Sequence, residues 1–254
     1  MSQMPPQPPP PPGGYGGPPP PPGGYGAPPP GGFGGAPTGG QWDLGAALTY
    51  GWNKFQQNMA QIVIAGVALF VGIAAVVVVA IVLQTAVVDY DTSFFVILFI
   101  NAIMVGLIFV VLQLIGAGII RGALDITEGR PFNASTVFKF TNATNVLLTA
   151  LLIGAGVLVG TVLCYLPGIA FGFISSYAMY FVVDKNMAPV DAIKASFELI
   201  KANFGNTLIW YIVSGIVGGL GAILCGIGII ATMPIAIIGT AYTYKMFTGQ
   251  AVAP

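Results

Sequence analysis

The chain has 254 residues, of which 56 % are hydrophobic and only 6 % are charged, with eight basic side chains, eight acidic ones and no histidine. Soluble domains carry roughly 25 % charged residues, so this composition excludes an ordinary soluble protein and indicates an integral membrane protein. The zero net charge gives no reason to expect a nucleic-acid partner, and the lack of histidine removes the commonest general base and zinc ligand.

The first predicted element is the N-terminal segment 1–41, which contains no charged residue and alternates proline runs with glycine-rich pieces. Proline runs favour extended polyproline II, glycines interrupt it, and a segment with so few aliphatic residues forms no core. We therefore expect a disordered tail. A second interpretation treats the aromatic residue after each Gly-Gly pair as a contact for a protein partner; these residues are Tyr15, Tyr25 and Phe33.

The segment 43–58 has the pattern of an amphipathic helix. Its large apolar residues recur at steps of four and three, and Asp43 is a suitable N-cap. Asn53, Lys54 and Gln57 lie on the polar side. The pattern predicts an interfacial helix along the membrane boundary, directly before the first span.

Long uncharged apolar stretches predict the membrane spans, since a spanning helix needs about 20 apolar residues. Six spans are expected within a membrane domain at 42–247, followed by a short C-terminal tail at 248–254. The spans are 60–84, 94–120, 146–165, 168–183, 206–223 and 227–244. Five spans are the alternative, because the last division rests on glycines, which are also common inside membrane helices.

The basic residues predict the orientation. With six spans and a cytoplasmic N-terminus, all eight lysines and arginines fall on one side of the membrane, and the opposite loop carries only Asp89 and Asp91. This is the positive-inside rule. Both termini are then cytoplasmic, in the plasma membrane of a bacterium, whereas five spans would place Lys245 outside.

A second amphipathic helix is predicted at 189–204, before the fifth span. Its large apolar residues recur at steps of four, three and four, and its charged residues occupy the opposite face. The apolar residues are Ile193, Phe197, Ile200 and Phe204, and the charged ones are Asp191, Lys194, Glu198 and Lys201. Pro189 suits the first turn of this interfacial helix, and Gly205 suits its C-terminal cap.

A shift of 61 residues aligns the third span with the fifth. It pairs Gly154 with Gly215 and Gly160 with Gly221. The alignment predicts a repeat of three units, each an interfacial segment followed by two spans.

Polar residues within the spans are the candidates for transport chemistry. They are Asn101, Ser175, Ser176, Tyr177 and Tyr180. Hydrogen bonding between helices is the simpler interpretation of these residues. No charged residue lies inside a predicted span, which disfavours ion- or proton-coupled transport and an intramembrane enzyme.

The two cysteines, Cys164 and Cys225, both fall near outer turns. Each is expected to be a small apolar filler, and the alternative is a disulfide between them in an oxidising exterior. We expect no catalytic residues, cofactor or metal.

Three stretches carry a family resemblance. They are "ALDITEGRPFNASTVFKF" after the second span, "LPGIAFGFISSYAMYFVVDKNMAPVDAIKASFELIKANFGNTL", and "PIAIIGTAYTYKMFTG" near the C-terminus. They resemble bacterial six-span proteins of unknown function, a group related to the membrane domain of some glycerophosphoryl diester phosphodiesterases and to the DUF975 and YciC-like proteins. The Pro/Gly/Tyr tail resembles those of mycobacterial membrane proteins. The resemblance implies a membrane accessory role and brings no catalytic residues.

Together these features predict an all-α, polytopic and non-enzymatic membrane protein. It would act as an accessory or scaffolding component that contacts membrane lipids, and protein partners through its tail. The alternative is a permease or lipid-handling protein with a path between the repeats.

Overall fold

The computed structural model describes residues 41–87, 92–139, 142–223 and 228–254. Every regular element within these ranges is helical, which confirms the all-α prediction for the described residues. The elements are α1 (Leu44–Val87), α2 (Phe94–Thr127), a 3₁₀ helix (Ala134–Phe138), α3 (Ala143–Cys164), α4 (Leu166–Ile174), α5 (Ala178–Lys185), α6 (Pro189–Ala202), α7 (Phe204–Ile223) and α8 (Ile229–Phe247).

Five helical segments of the described residues are long and apolar enough to cross a membrane, as expected for a membrane protein. They are Leu44–Ala86, Phe94–Thr127, Ala143–Cys164, Leu166–Lys185 and Phe204–Gly221. Helix α8 is not among them. Its second half carries Tyr242, Tyr244 and Lys245, all buried inside the protein. A membrane helix that faces other helices needs fewer apolar side chains than one that faces lipid. The composition of α8 therefore does not decide whether this helix crosses the membrane, and the predicted sixth span stays a prediction.

The predicted interfacial segment 43–58 and the predicted first span form a single helix of 44 residues, α1. No proline follows Met59 in this helix, and Ala60 and Gln61 favour helix, so nothing in the sequence breaks the helix there. Phe55 is buried in the bundle, whereas Trp52 is half exposed.

The predicted span 168–183 is interrupted between α4 and α5. Ser196 of α6 fills the break, because its Oγ donates a hydrogen bond to the carbonyl of Ile174 at 2.6 Å and accepts one from the amide of Tyr177 at 3.1 Å. A helix can break within an apolar layer only where its backbone groups find partners, and this hydroxyl provides two.

Helix α6 forms close to its predicted bounds, and the face that packs on the bundle shares only Ile200 with the apolar stripe predicted to lie on the membrane boundary, so the interfacial placement of that stripe stays a prediction. The buried residues are Ala192, Ser196, Leu199 and Ile200. Phe197 and Phe204 remain 42 % and 58 % exposed. Small side chains at 192 and 196 let α6 approach the α4–α5 break closely, so packing selects this face over the one with the largest apolar residues.

Two helical hairpins, α3–α4 and α7–α8, share a close approach made by glycine. A Cβ atom on Gly160 would lie 2.6 Å from the nitrogen of Gly168, and one on Gly221 would lie 2.4 Å from the nitrogen of Ile229. The two contacts are related by the same shift of 61 residues that aligns the spans, which supports the predicted repeat between these hairpins.

Helix α8 packs against α1, α2 and α7. Trp210 of α7 is 2 % exposed, and its Nε1 donates a hydrogen bond to Thr240 at 3.0 Å. Trp42 Nε1 donates to Thr243 at 3.1 Å and ties the start of α1 to the same helix. Helix α8 is therefore the central helix of the described bundle.

Candidate functional site

A buried ion-pair network joins three helices near the C-terminal end of α8. The ammonium of Lys245 lies 2.9 Å from Asp184 of α5 and 3.0 Å from Glu128, just after α2. The Lys245 side chain is 3 % exposed, that of Asp184 10 % and that of Glu128 32 %. Asp184 lies at the end of the apolar segment Leu166–Lys185 and Glu128 directly follows the segment Phe94–Thr127, so the network joins segments that are distant in the chain.

The remaining hydrogen-bonding groups of this network are satisfied. Lys245 donates its third hydrogen bond to Gln250 Oε1 at 2.7 Å. Asp184 Oδ2 accepts from the Tyr244 hydroxyl at 2.8 Å and from Gln250 Nε2 at 3.3 Å. An ammonium has three donors, and here all three are used. We call these residues, Glu128, Asp184, Tyr244, Lys245 and Gln250, the Lys245 cluster.

Two arginines of α2 and its C-terminal loop extend the network to the surface. Arg130 forms ion pairs with both Asp125 and Glu128, and Arg121 Nε lies 3.5 Å from Asp125. Partial burial alone would raise the pKa of Glu128, but the hydrogen bonds from Lys245 and Arg130 outweigh it and hold that pKa below its ordinary value. Glu128 is thus kept as an ionised partner of two cations.

The predicted C-terminal tail packs across the end of α2. The amide of Ala253 donates a hydrogen bond to the carbonyl of Thr127 at 2.8 Å, and the amide of Gln250 donates to that of Lys245 at 2.9 Å. The Lys54 ammonium of α1 also contacts the carbonyl of Pro254. The segment 248–254 is therefore part of the folded bundle.

A cavity of about 830 Å³ lies between α1, α2 and α8. Its lining contains no charged side chain and is made by apolar residues and glycines of the three helices, together with Phe132. The lining residues are Ile62, Ala65, Gly66, Leu69, Phe70, Ile73, Gly116, Ile119, Ala123, Phe132, Ile229, Ile230, Met233, Pro234, Ile237 and Ile238. Two of the lining residues also lie on the outer surface of the bundle, since Phe70 is 71 % exposed and Met233 is 48 % exposed. The cavity therefore opens to the outside between apolar side chains. We call it the apolar cavity.

A second cavity, of about 310 Å³, lies on the other side of α2. It is lined by polar and charged residues as well as apolar ones. The residues are Leu114, Ala117, Gly118, Arg121, Lys139, Asn142, Val146, Val182, Val183, Asp184 and Asn186. We call it the polar cavity. The residues that α2 contributes to the two cavities lie on opposite faces of the helix.

The polar residues predicted within the spans do not line either of these two cavities. Asn101 donates to the carbonyl of Ile97 in its own helix, and Ser175 donates to that of Phe171. The Tyr180 hydroxyl donates to the carbonyl of Ile237 at 3.2 Å, which is a bond between helices. Among the described residues, the buried hydroxyls of Ser176 and Tyr177 have no hydrogen-bond partner.

Other predicted site residues lie partly outside the described ranges. Cys164 is exposed at the end of α3, and Cys225 lies outside the described residues, so the alternative of a disulfide between them stays a prediction. Tyr15, Tyr25 and Phe33 also lie outside them, and partner binding by the tail stays a prediction.

The Lys245 cluster was not predicted from the sequence. The topology prediction placed Glu128, Asp184 and Lys245 on one side of the membrane, which is the available signal that they could meet. The burial of Lys245 depends on how α8 packs against the other helices, and the sequence around Lys245 does not predict that burial.

Comparisons with known proteins show similarity to mycobacterial proteins. The chain is 34 % identical over 229 residues to the uncharacterized protein Rv2560 of Mycobacterium tuberculosis, covering 82 % of this chain and 70 % of the relative. The uncharacterized protein Mb2590 of Mycobacterium bovis shows the same identity and coverage. No family model and no solved structure matches the chain. The chain therefore belongs to the family of uncharacterized mycobacterial proteins that includes Rv2560.

Proposed function

We propose that this protein is a non-enzymatic integral membrane protein that handles lipid, holding an acyl chain in the apolar cavity. The observation that carries the proposal is the chemistry of that cavity. Its volume of about 830 Å³ falls in the range of roughly 300–1,000 Å³ that is common for small-molecule sites. A charge-free lining offers nothing to orient a polar or ionic substrate, whereas a hydrocarbon chain needs only apolar contact.

The position of the cavity supports the same occupant. The cavity lies between three apolar helices, and its exposed lining residues, Phe70 and Met233, are where an acyl chain would enter from the bilayer. Pro234 has no amide hydrogen and removes one helical hydrogen bond from α8 beside the cavity.

The proposal includes six spans, with α8 as the sixth, in a bacterial plasma membrane. The ends of the spans that carry the Lys245 cluster would face the cytoplasm, because this orientation keeps all eight basic residues on the cytoplasmic side. It remains non-enzymatic in our proposal because the chain has no histidine and both acids of the cluster are ion-paired.

The test is photo-crosslinking of the reconstituted full chain with a phospholipid that carries a photoreactive group in its acyl chain. We expect labelled peptides from the cavity walls in α1, α2 and α8. Gly116→Phe places a ring in the cavity, since a Cβ there meets nothing within 4 Å, and it should reduce this labelling. Gly106→Phe is the matched control in the same helix, where a Cβ also meets nothing within 4 Å and the residue lines neither the apolar cavity nor the polar cavity. Labelling spread evenly over exposed apolar residues such as Phe99 and Leu158 would contradict the proposal.

A second candidate is the accessory or scaffolding role. The exposed charged face of α6 favours it, because Asp191, Glu198 and Lys201 present both signs of charge to a soluble partner. Removal of residues 1–41 and, separately, neutralisation of these three charges should each reduce partner recovery from native membranes. Unchanged recovery in both variants would argue against this role.

A further inference from the structure

We propose that α6 lies on the membrane surface and binds anionic phospholipid head groups through Lys194 and Lys201. Beside these lysines, the exposed side chains of Val190 and Phe197 would enter the apolar layer below the head groups. We call Val190, Lys194, Phe197 and Lys201 the head-group face. The proposal goes beyond lipid handling, because it concerns the surface of the bilayer rather than an acyl chain in the apolar cavity.

Helix α6 is held at the boundary of two apolar segments. The segment Leu166–Lys185 ends directly before the link 186–188, and α6 follows at Pro189. On the other side, only Asn203 separates α6 from α7, which begins at Phe204. Both neighbouring segments are long and apolar enough to cross a membrane, and links this short keep α6 beside their ends. A bilayer that these segments cross therefore lies next to α6.

The exposed residues of α6 form three rows around the helix, counted at about 100° per residue. The first row is apolar and borders the packed face, the second row is basic, and the third row is acidic and lies beyond the lysines. In this order, the members are Val190 and Phe197, then Lys194 and Lys201, then Asp191 and Glu198. The two apolar residues are 52 % and 42 % exposed, and the four charged residues are exposed as well.

This order of rows fits the boundary of a bilayer. An apolar side chain gains free energy by leaving water for the region below the head groups, and a lysine lays its apolar stem along the same surface while its ammonium reaches the phosphates. The acidic row then points away from the phosphates and into water. A soluble protein that covered Phe197 would have to displace the lipid beside the two apolar segments. The rows therefore favour the membrane as the occupant.

The head-group face also explains why the predicted apolar stripe of α6 does not pack as one unit. Ile200 is buried in the bundle and Ile193 is partly buried against it, whereas Phe197 remains exposed. The large apolar residues of α6 would thus serve two environments, the interior of the bundle and the surface of the bilayer. A stripe wider than the packed face is what such a helix requires.

The environment of single side chains in the reconstituted full chain tests the proposal. Phe197→Cys and Glu198→Cys are made separately in a chain that carries Cys164→Ser and Cys225→Ser, and each is labelled with an environment-sensitive fluorophore. The vesicles contain phosphatidylglycerol and phosphatidylcholine, with a spin-label quencher attached to some acyl chains near the head group. Iodide, an aqueous quencher, is present on both sides of the membrane.

The fluorophore at position 197 should be quenched by the spin-labelled lipid and protected from iodide. The fluorophore at position 198, on the acidic row of the same helix turn, should be quenched by iodide and hardly by the lipid. Equal access of iodide to both positions would overturn the proposal. That result is the one expected if the apolar row is a site for a soluble protein, which is absent from these vesicles.

The role of the lysines is tested by thermal unfolding in neutral detergent, because a lipid that binds the folded state raises its stability. Phosphatidylglycerol is compared with phosphatidylcholine in mixed micelles, and the wild type should respond more strongly to phosphatidylglycerol. Lys194→Gln and Lys201→Gln should each weaken the apparent affinity for phosphatidylglycerol about fivefold, as expected for one lysine near an anionic surface.

Glu198→Gln is the matched control, since it changes one charge on the acidic row of the same helix, and its affinity should stay within about twofold of wild type. Head-group binding by the lysines is overturned if the wild type does not distinguish the two lipids, or if both lysine variants keep the affinity of the wild type.

The apolar cavity lies between α1, α2 and α8, so the two proposals can fail separately. Gly116→Phe should leave the protection of position 197 from iodide unchanged. Lys194→Gln and Lys201→Gln should leave acyl-chain labelling of the apolar cavity unchanged.

Discussion

Lys245 and Asp184 form a buried ion pair of 2.9 Å that joins the end of α8 to the end of α5. The Lys245 side chain is only 3 % exposed, so its charge depends on protein groups for solvation. A buried pair of this kind adds little to stability as a whole, but removal of one partner leaves the other charge without compensation. This asymmetry makes the pair testable.

Lys245→Met should strongly destabilise the bundle. Asp184 loses its cation, whereas Glu128 keeps Arg130, and uncompensated burial of a charge costs about 3–5 kcal/mol. The measurement is the free energy of unfolding in detergent. The double variant Lys245→Met/Asp184→Asn should recover a large part of the loss, since no buried charge then remains between these positions. Lys201→Met on the exposed face of α6 is the control, and a loss equal to that of Lys245→Met would contradict the role of the cluster.

The stability of the bundle should depend on the ionisation of Glu128. Its pKa in the folded protein lies below the ordinary value of 4.5, because hydrogen bonds from Lys245 and Arg130 outweigh burial. A lowered folded-state pKa gives a stabilising contribution that is fully present above the unfolded pKa and is lost as the pH falls through the folded pKa. The difference in stability between wild type and Glu128→Gln should therefore be constant above about pH 5 and disappear at lower pH.

Thermal unfolding across a pH series checks this expectation. Glu198→Gln on α6 controls for the loss of one negative charge. A difference between wild type and Glu128→Gln that grew as the pH fell would contradict the assigned direction of the pKa shift.

The break between α4 and α5 should depend on one hydroxyl. Ser196→Ala removes the acceptor of the Tyr177 amide and the donor to the Ile174 carbonyl, and leaves both backbone groups without their partner in a buried position. We expect a loss of about 1–3 kcal/mol in the free energy of unfolding. Ser135→Ala changes an exposed serine of the 3₁₀ helix and should stay within about 0.5 kcal/mol of wild type. Equal effects of the two variants would show that Ser196 does not support the break.

The helical class, the position of the apolar segments and the bounds of α6 could be predicted because they depend on local composition and periodicity. The α4–α5 break could not, because the serine that makes it tolerable lies 19 residues beyond Tyr177 on another helix. The packed face of α6 was also hidden, since Ala192 and Ser196 contribute little to an apolar pattern. Small residues allow two helices to approach each other closely, whereas the apolar stripe was defined by large side chains.

Both cavities escaped prediction for a related reason. Their walls come from helices that are distant in sequence. The sequence around each wall residue predicts only an ordinary lipid-facing or surface position. Asn101 and Tyr180 were candidates for transport chemistry, and hydrogen bonding between helices was the simpler interpretation. Both side chains donate to backbone carbonyls, Tyr180 to another helix and Asn101 within its own, which is a frequent role for polar groups in membrane helices.

The glycines of the α3–α4 and α7–α8 hairpins provide a final prediction. Gly160→Ala and Gly221→Ala should each destabilise by about 1–3 kcal/mol, because the added methyl group would lie within 2.6 Å of backbone that cannot move aside independently. Gly154→Ala and Gly215→Ala are the matched controls one or two turns earlier in the same helices, where a Cβ meets nothing within 4 Å. These two should be neutral or stabilising by up to about 1 kcal/mol, since alanine favours helix over glycine. All four free energies of unfolding come from one detergent assay. If the hairpins are repeats of one unit, the two destabilising variants should agree with each other in size, and so should the two controls; a large effect at Gly160 with none at Gly221 would contradict the repeat.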